Sequence, residues 1–484
     1  MPRRLAATLI FAFLAISSAV SWRVSQGMTI SDEGSYRFEA LTLASGRMVA
    51  PPPAGAPERP ADVPQPLGFN HQILSRTGWY SKYPLGWPAV LAFPERINLG
   101  WLVNPILGAI LLAIIGLVAR EAFGPATVLP AVAMAALSPY FLANSVGRMS
   151  HALAGVLVAA AALFCIRGLK TGKVSRFACM FLLLGATFHA RPFTAFVASA
   201  VLGLGALVGT RGRRSLCTRV SLLGALAASF AVSSFLLYNW RFTGHPFLSP
   251  YAVYRGVAIP TEVMATGPQV LRNLELTWRF ALQSTVLYSF PFLAPLLIYG
   301  FWALRPKSPV PWILLALPCA LGLAHLVQFE GSSSVIGERY WFEGYFAIAV
   351  LAAEGLRRLL AAWRSGRRPA IAVAIGLAAA QLVVMAAAAA RLDAASRPDR
   401  EVRRLAEAYQ GCGCVVYFAD NPQVFFGKRL NLNGPAWPSA GVFYAVDPGP
   451  DERAMWARIL HSRRWVVLTY DAQRSVAKIV ETGE

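Results

Sequence analysis

The chain has 484 residues, 56% of them hydrophobic and only 14% charged, with a mean hydropathy of +0.49. Soluble domains carry about 25% charged residues, so this composition is that of a polytopic membrane protein. The net charge of +21, from 45 Lys and Arg against 24 Asp and Glu, would suit nucleic acid if gathered on one face, but the basic residues fall between apolar segments and argue against that partner.

Windows long enough to cross a bilayer, about 17 to 25 residues, run over 5–22, 99–119, 125–143, 150–167, 176–190, 192–210, 217–238, 283–304, 309–328, 341–361 and 369–390. The first also fits a secretory signal peptide, but the ten spans behind it favour a retained helix. A cytoplasmic N-terminus makes "RGLKTGKVSR", "RGRRSLCTR", "RPK" and "RRLLAAWRSGRRP" the inner loops, and these are rich in Lys and Arg. The first loop (23–98), the loop 239–282, the short loop 329–340 and the tail 391–484 are then expected on the extracytoplasmic side.

The first loop contains "APPPAGAPERPADVPQP" (50–66), which cannot be a regular helix and is expected to bridge interfacial segments. After residue 390 the composition turns soluble. There "DREVRRLAEAYQ" and "DERAMWARILHSRR" read as helices, and "CVVYFAD" and "WVVLTYD" as strands. The fold class is thus an α-helical polytopic membrane body (1–390), of about eleven transmembrane helices with interfacial helices in the first external loop, and a small C-terminal α/β domain (391–484). Cys165, Cys179, Cys217 and Cys319 lie in or beside apolar segments as packing residues. Cys412 and Cys414 could pair outside the cell, but a bridge over one intervening residue is strained, which leaves the pairing open.

Polar residues in the membrane body carry the functional reading. Asp32 and Glu33 follow the first span in "SDEGSY"; taken alone, they could simply be first-turn carboxylates that offset a helix dipole. Lys82 precedes the aromatic segment "YPLGWPAVLA". Arg148 and His151 stand at the outer ends of the third and fourth spans, His189 and Arg191 in the hairpin "FHARPF", and Glu338, Arg339 and Tyr340 where the tenth span begins. Each alone reads as an interfacial anchor. Topology puts them all at one level, the outer membrane face, and ionisable groups at membrane depth usually line a cavity or a substrate path. A carboxylate pair among cations suits sugar transfer from a polyprenyl phosphate: the cations stabilise the phosphate leaving group, and a carboxylate takes the acceptor's proton with inversion at the sugar.

In family order, "SDEGSY", "KYPLGWPAVLA", "LSPYFLANSVGRMSH", "HARPFT", "YNWRFTGHPFLSPY" and "GERYWFEGYFAIAV" resemble the motifs of the GT-C superfamily. The branch is that of the bacterial protein O-mannosyltransferases and the lipid A aminoarabinose transferase. The resemblance covers most of residues 1–390 and implies that Asp32 is the catalytic base and Glu33 a second, orienting carboxylate. It also implies that Lys82, Arg148, Arg191 and Arg339 hold the donor phosphate, that His151, His189 and Tyr340 add hydrogen bonds, and that the segment around His245 and Tyr251 closes over the substrates. Glu338 belongs to the same substrate-binding set.

Ser81 stands where the aminoarabinose transferase has an acid, which weakens the match to that sugar and to any metal site built on the acid. No cofactor is expected to be required, and a divalent metal has no support in the spacing. The expected partners are a polyprenyl-phosphate-linked sugar donor, a lipid, polysaccharide or protein acceptor, and membrane lipid in a bacterial inner membrane, with no nucleic acid. "GLGALVG" (203–209) resembles a nucleotide loop by letters only, inside a span. A transporter or flippase of lipid-linked sugars would usually place its site near the midplane of repeated halves, and neither a repeat nor a mid-span acid cluster is found. An O-antigen ligase or polymerase would be expected to carry its decisive residues in a large late external loop.

Overall fold

The computed structural model describes residues 2–256, 267–304, 308–326, 335–362, 367–421 and 424–484. Helix α1 (Pro2–Val24) leads into a section made of α2 (Asp32–Ala44), the strands β1 (Gln72–Ser75) and β2 (Gly78–Ser81), and α3 (Gly86–Arg96). The body continues with α4 (Gly100–Phe123), α5 (Val128–Ala136), α6 (Pro139–Asn144), α7 (His151–Thr171), α8 (Val174–Ala190), α9 (Pro192–Thr210) and α10 (Arg214–Thr243). Then come α11 (Pro250–Arg255), α12 (Gly267–Leu282), α13 (Leu293–Leu304), α14 (Pro309–Leu326), α15 (Phe342–Ala362) and α16 (Arg367–Glu407). A terminal module holds β3 (Cys414–Phe418), β4 (Val442–Val446), α17 (Arg453–Ile459), β5 (Arg464–Asp471) and β6 (Val476–Gly483).

Among the described residues, α1, α4, α7, α9, α10, α14 and α16 are seven helices long and apolar enough to cross a membrane. Three more apolar stretches are shorter: Pro125–Ala136, α8 and α13. Helix α15 has 21 residues but carries Glu343, Glu354, Arg357 and Arg358, which lowers its hydropathy. These account for the eleven expected windows, with two of them broken. Window 125–143 divides at Ser138, whose Oγ accepts the Phe141 N–H at 3.2 Å and caps α6, with Pro139 as its first residue. Window 283–304 opens on a π-helical turn, Gln283–Leu287, and becomes regular only from Leu293. Pro291 lies within the break, where its ring and missing N–H interrupt the helical ladder, and Pro295 falls in the first turn of α13, where the backbone N–H has no helical acceptor in any case. The expected inner loop 305–307 and residues 327–334 lie outside the described residues.

Helix α16 is a single run of 41 residues that passes residue 390 without interruption. The amphipathic segment expected to open the soluble tail is its last turns. The module beyond it has strand order β4-β3-β5-β6. Strands β4, β3 and β5 run parallel and β6 antiparallel to β5, so the α/β class holds, with β4 and β6 added to the two strands read from sequence. Cys412 and Cys414 are bonded to each other.

One apolar core joins this module to the section after α1. Val415, Tyr417, Phe443 and Leu468 pack with Met28, Phe38, Phe69 and Trp79. Two glycines mark how closely the parts approach: a Cβ on Gly27 would lie 2.1 Å from the Ser396 carbonyl oxygen, and one on Gly34 2.6 Å from that of Arg429. Helix α16 and the terminal module therefore clamp both sides of the turn that begins α2. That turn carries Asp32.

Candidate active site

The β1–β2 hairpin sets the first half of the site. Its register pairs Gln72 with Ser81, and the ladder extends by one bond, Lys82 N–H to His71 C=O at 3.0 Å. His71 and Lys82 thus face each other at the open end of the hairpin, though eleven positions apart in sequence. The Lys82 ammonium is buried and lies 5.1, 4.5 and 4.6 Å from the ring centres of Tyr83, Tyr251 and Tyr254, where ring quadrupoles favour a cation.

Asp32, the first residue of α2, points toward this pair. Its Oδ1 lies 2.9 Å from His71 Nε2 and its Oδ2 accepts from Arg339 Nη2 at 2.9 Å. Arg339 arrives from the short turn Arg339–Trp341 that feeds α15. Burial acts on Asp32 most strongly and alone would raise its pKa; the charges of Arg339, His71 and Lys82 and the His71 hydrogen bond outweigh it and hold the carboxyl well below its usual range. Two further nitrogens of Arg339, Nε and Nη1, are buried with no hydrogen-bond acceptor among the described residues. An unpaired buried donor is costly, and an anion in the cavity would satisfy both.

Arg191 supplies a third cation. It sits at the junction of α8 and α9, where Pro192 breaks the ladder and restarts the helix. Its Nε is 2.9 Å from Glu343 Oε1, and its Nη1 is 3.3 Å from His151 Nε2 and 3.2 Å from Ser150 Oγ. His151 Nδ1 lies 3.0 Å from the same Glu343 oxygen, closing a triangle that fixes the guanidinium. Asp32, His71, Lys82, Arg191, Arg339 and Tyr251 line one cavity of 560 Å³. Among the described residues no three His, Cys, Asp or Glu side chains gather as a metal site requires, and both Asp32 oxygens already face nitrogen donors. Ser81 bonds Ser35 Oγ at 2.8 Å.

The description of the family model that matches residues 95–238 is dolichyl-phosphate-mannose-protein mannosyltransferase. No curated protein sequence matches the chain. Among solved structures, ArnT from Cupriavidus metallidurans in the apo state aligns with a TM-score of 0.58 at 14% identity, over 99% of this chain and 97% of that one. The chain has the GT-C fold. The archaeal oligosaccharyltransferase AglB from Archaeoglobus fulgidus, in complex with an inhibitory peptide and a dolichol-phosphate, aligns at 13% identity with a TM-score of 0.53, over 95% and 69% of the two chains. ArnT bound to undecaprenyl phosphate aligns at 15% identity and a TM-score of 0.50, over 79% and 71%. This GT-C chain spans 56% of the Archaeoglobus oligosaccharyltransferase in its apo crystal structure.

The GT-C fold brings some of the residues singled out from sequence to the cavity and takes others elsewhere. Asp32, Lys82, Arg191, Tyr251, Arg339 and Tyr340 line it. Glu33 does not: its Oε1 accepts from Thr29 N–H and Oγ1 at 3.2 and 2.6 Å, and its Oε2 from the Arg148 N–H at 3.1 Å. Burial raises its pKa, and those bonds oppose the rise only in part. Consecutive helical residues point about 100° apart, which is why an adjacent pair divides between cavity and interior. Arg148 is also internal, held by Glu95 at 2.5 Å and the Ser25 carbonyl at 2.6 Å. His151 is a buried support of Arg191. His189 bonds Ser234 Oγ at 3.0 Å. His245 is exposed and lies off the cavity wall.

Glu338 turns inward to cap Tyr340 N–H at 3.2 Å, and burial pushes its carboxyl up to about 7. His71 and Glu343 were not among the residues singled out. His71 has only one local signal, its place in the polar first loop. Glu343 sits one residue inside α15, where it reads as a first-turn acid.

Proposed function

We propose that this chain is an integral membrane glycosyltransferase that moves a sugar from a polyprenyl-phosphate donor to an acceptor hydroxyl, with inversion, on the extracytoplasmic side. The observation that carries the reading is the pairing, in one cavity, of the Asp32 carboxylate with a guanidinium whose Nε and Nη1 find no acceptor among the described residues. Arg339, Lys82 and Arg191 would hold the donor phosphate. Asp32 would take the proton of the acceptor hydroxyl as its oxygen attacks the anomeric carbon. The bond from that carbon to the phosphate oxygen breaks, the electron pair stays on the phosphate, and the three cations stabilise the added charge. The dolichol-phosphate in the AglB complex and the undecaprenyl phosphate on ArnT support a lipid phosphate as the donor's anionic end. The basic residues at the α7–α8 turn (Arg167, Lys170, Lys173 and Arg176) and at the α9–α10 turn (Arg211, Arg213 and Arg214) support a cytoplasmic location for those turns, and with it the outward-facing cavity.

The test is Asp32→Asn. Membranes containing the wild-type chain should consume a radiolabelled polyprenyl-phosphate sugar and release polyprenyl phosphate. The folded Asn variant should lose roughly 10²–10⁴-fold in kcat, the usual contribution of a general base. Transfer at the wild-type rate would remove Asp32 from the mechanism.

A further inference from the structure

We propose that His71 is a positioning residue for Asp32, fixing the carboxylate's rotation so that one oxygen stays aimed at the acceptor. This rests on the glycosyl-transfer reading above. The case begins with how firmly the imidazole itself is placed. His71 adopts a left-handed backbone, φ 63°, a conformation uncommon outside Gly but one in which His, like Asn and Asp, is enriched. Its neighbours hold it there. The backbone N–H donates to Tyr254 Oη at 3.2 Å, and the carbonyl accepts from Ser35 Oγ at 2.8 Å and from the Lys82 N–H at 3.0 Å.

This left-handed turn delivers Nε2 to a point 2.9 Å from Asp32 Oδ1 and 2.7 Å from Ser31 Oγ. Ser31 precedes α2 but makes no capping bond to it; with Nε2 protonated toward Asp32, the Ser31 Oγ is a second acceptor for the same N–H. A carboxylate held by Arg339 alone could rotate about its Cβ–Cγ bond. Held on both oxygens from opposite sequence ends, it cannot. A guanidinium that also takes a phosphate is pulled from two directions, so the second anchor keeps the base in place when the donor arrives. Positional errors near 1 Å can cost about 10²-fold in rate.

The experiment uses the full chain in lipid nanodiscs. His71→Asn keeps a residue that tolerates the left-handed backbone but is too short to reach Asp32. His71→Gln restores a donor near the position of Nε2. The Asn variant should lose roughly 30- to 300-fold in kcat while its KM for the donor stays within about threefold, and the Gln variant should recover at least a third of the loss on a logarithmic scale. Asp32 is faced by Arg339, His71 and Lys82, with Tyr36 and Tyr83 nearby. Removing the His71 bond alone should move the acid limb of the pH–rate profile to higher pH, which a merely structural role would not do.

Wild-type kcat with an unmoved acid limb in His71→Asn would overturn the proposal. If Asp32→Asn were also fully active, the glycosyl-transfer assignment of the base would fall with it; if Asp32→Asn were dead, only the positioning role would. Should neither His71 variant fold, ¹⁵N-histidine spectra of the wild type and Asp32→Asn decide. One of the six imidazoles must shift its Nε2 resonance on loss of the carboxylate, and no shift would equally refute the contact.

Discussion

Replacing Arg339 by Gln removes the charge that sits 2.9 Å from Asp32 and leaves a shorter, neutral, polar side chain. Two unit charges at that separation attract by about 6 kcal/mol at an effective dielectric of 20; desolvation offsets part of this, and breaking a buried pair typically costs about 3–5 kcal/mol. His71 and Lys82 remain beside Asp32, so the lower part of that range is expected as a loss in unfolding free energy. The donor should suffer separately. The Arg339 Nε and Nη1 nitrogens are buried without acceptors among the described residues, and charge-assisted bonds to a phosphate are each worth about 1.5–3 kcal/mol. Losing the charge and one of these donors predicts a fall of roughly 10²- to 10³-fold in kcat/KM for the lipid-linked donor.

A third effect follows from the sign of the Asp32 shift. Arg339 is the largest of the influences holding that carboxyl down, so its removal raises the carboxyl's pKa. Activity that requires the carboxylate should then be lost at a higher pH on acidification, and the variant should fall further behind the wild type at pH 5 than at pH 8. Donor kinetics in nanodiscs at both pH values, with a thermal melt on the same sample, measure all three. A folded variant with donor kcat/KM within threefold of the wild type would refute the assignment of Arg339 to the phosphate.

Glu39 lies inside α2, with Oε2 accepting the Ser81 N–H at 2.8 Å and Oε1 without a partner among the described residues; burial pushes its carboxyl up to about 8. Since the folded pKa lies above the unfolded one, the unfolded chain ionises first as pH rises, and stability falls between about 4.5 and 8 and then levels off. Glu39→Gln should therefore gain on the wild type across that window, by on the order of 2–4 kcal/mol at its upper end, and parallel stability curves at pH 5 and 8.5 would refute it. Arg148→Gln should lower the melting temperature by breaking the buried pair with Glu95, at a cost of about 3 kcal/mol, yet leave the donor KM unchanged. A raised donor KM at unchanged stability would return Arg148 to the site. With the free cysteines replaced, Ser45→Cys, exposed at the end of α2, should react with a membrane-impermeant thiol reagent in intact cells. Reaction only after lysis would invert the topology.

The cavity also explains why the residues read from sequence divide as they do. Lys82 and Arg191 were legible because each adjoins a proline-marked entry to an apolar helix, a local pattern that survives into the fold. Arg148 also stands just before an apolar helix, though no proline marks it, and a buried acid, Glu95, claims it; no spacing rule links positions 95 and 148. The windows at 125–143 and 283–304 read as unbroken because hydropathy averages over the very prolines and capping serine that divide them. Strand β4, VFYAV, is as continuous an apolar run as β3 and carried a readable signal that went unmarked, whereas the mostly exposed β6, VAKIVETG, mixes apolar and polar residues without a clear face.

The sequence by itself determined the membrane class, the placement of most helices and the level at which Asp32, Lys82, Arg191 and Arg339 stand, because transfer of apolar and charged groups into a bilayer depends chiefly on residue type and run length. Only the tertiary structure decided which of two adjacent acids faces the cavity, that His71 and Arg339 hold it from either side, and that Glu343 anchors Arg191. Those choices depend on the phase of a helix, the register of a hairpin and the meeting of segments some three hundred residues apart, and such directions in space have no counterpart in residue type.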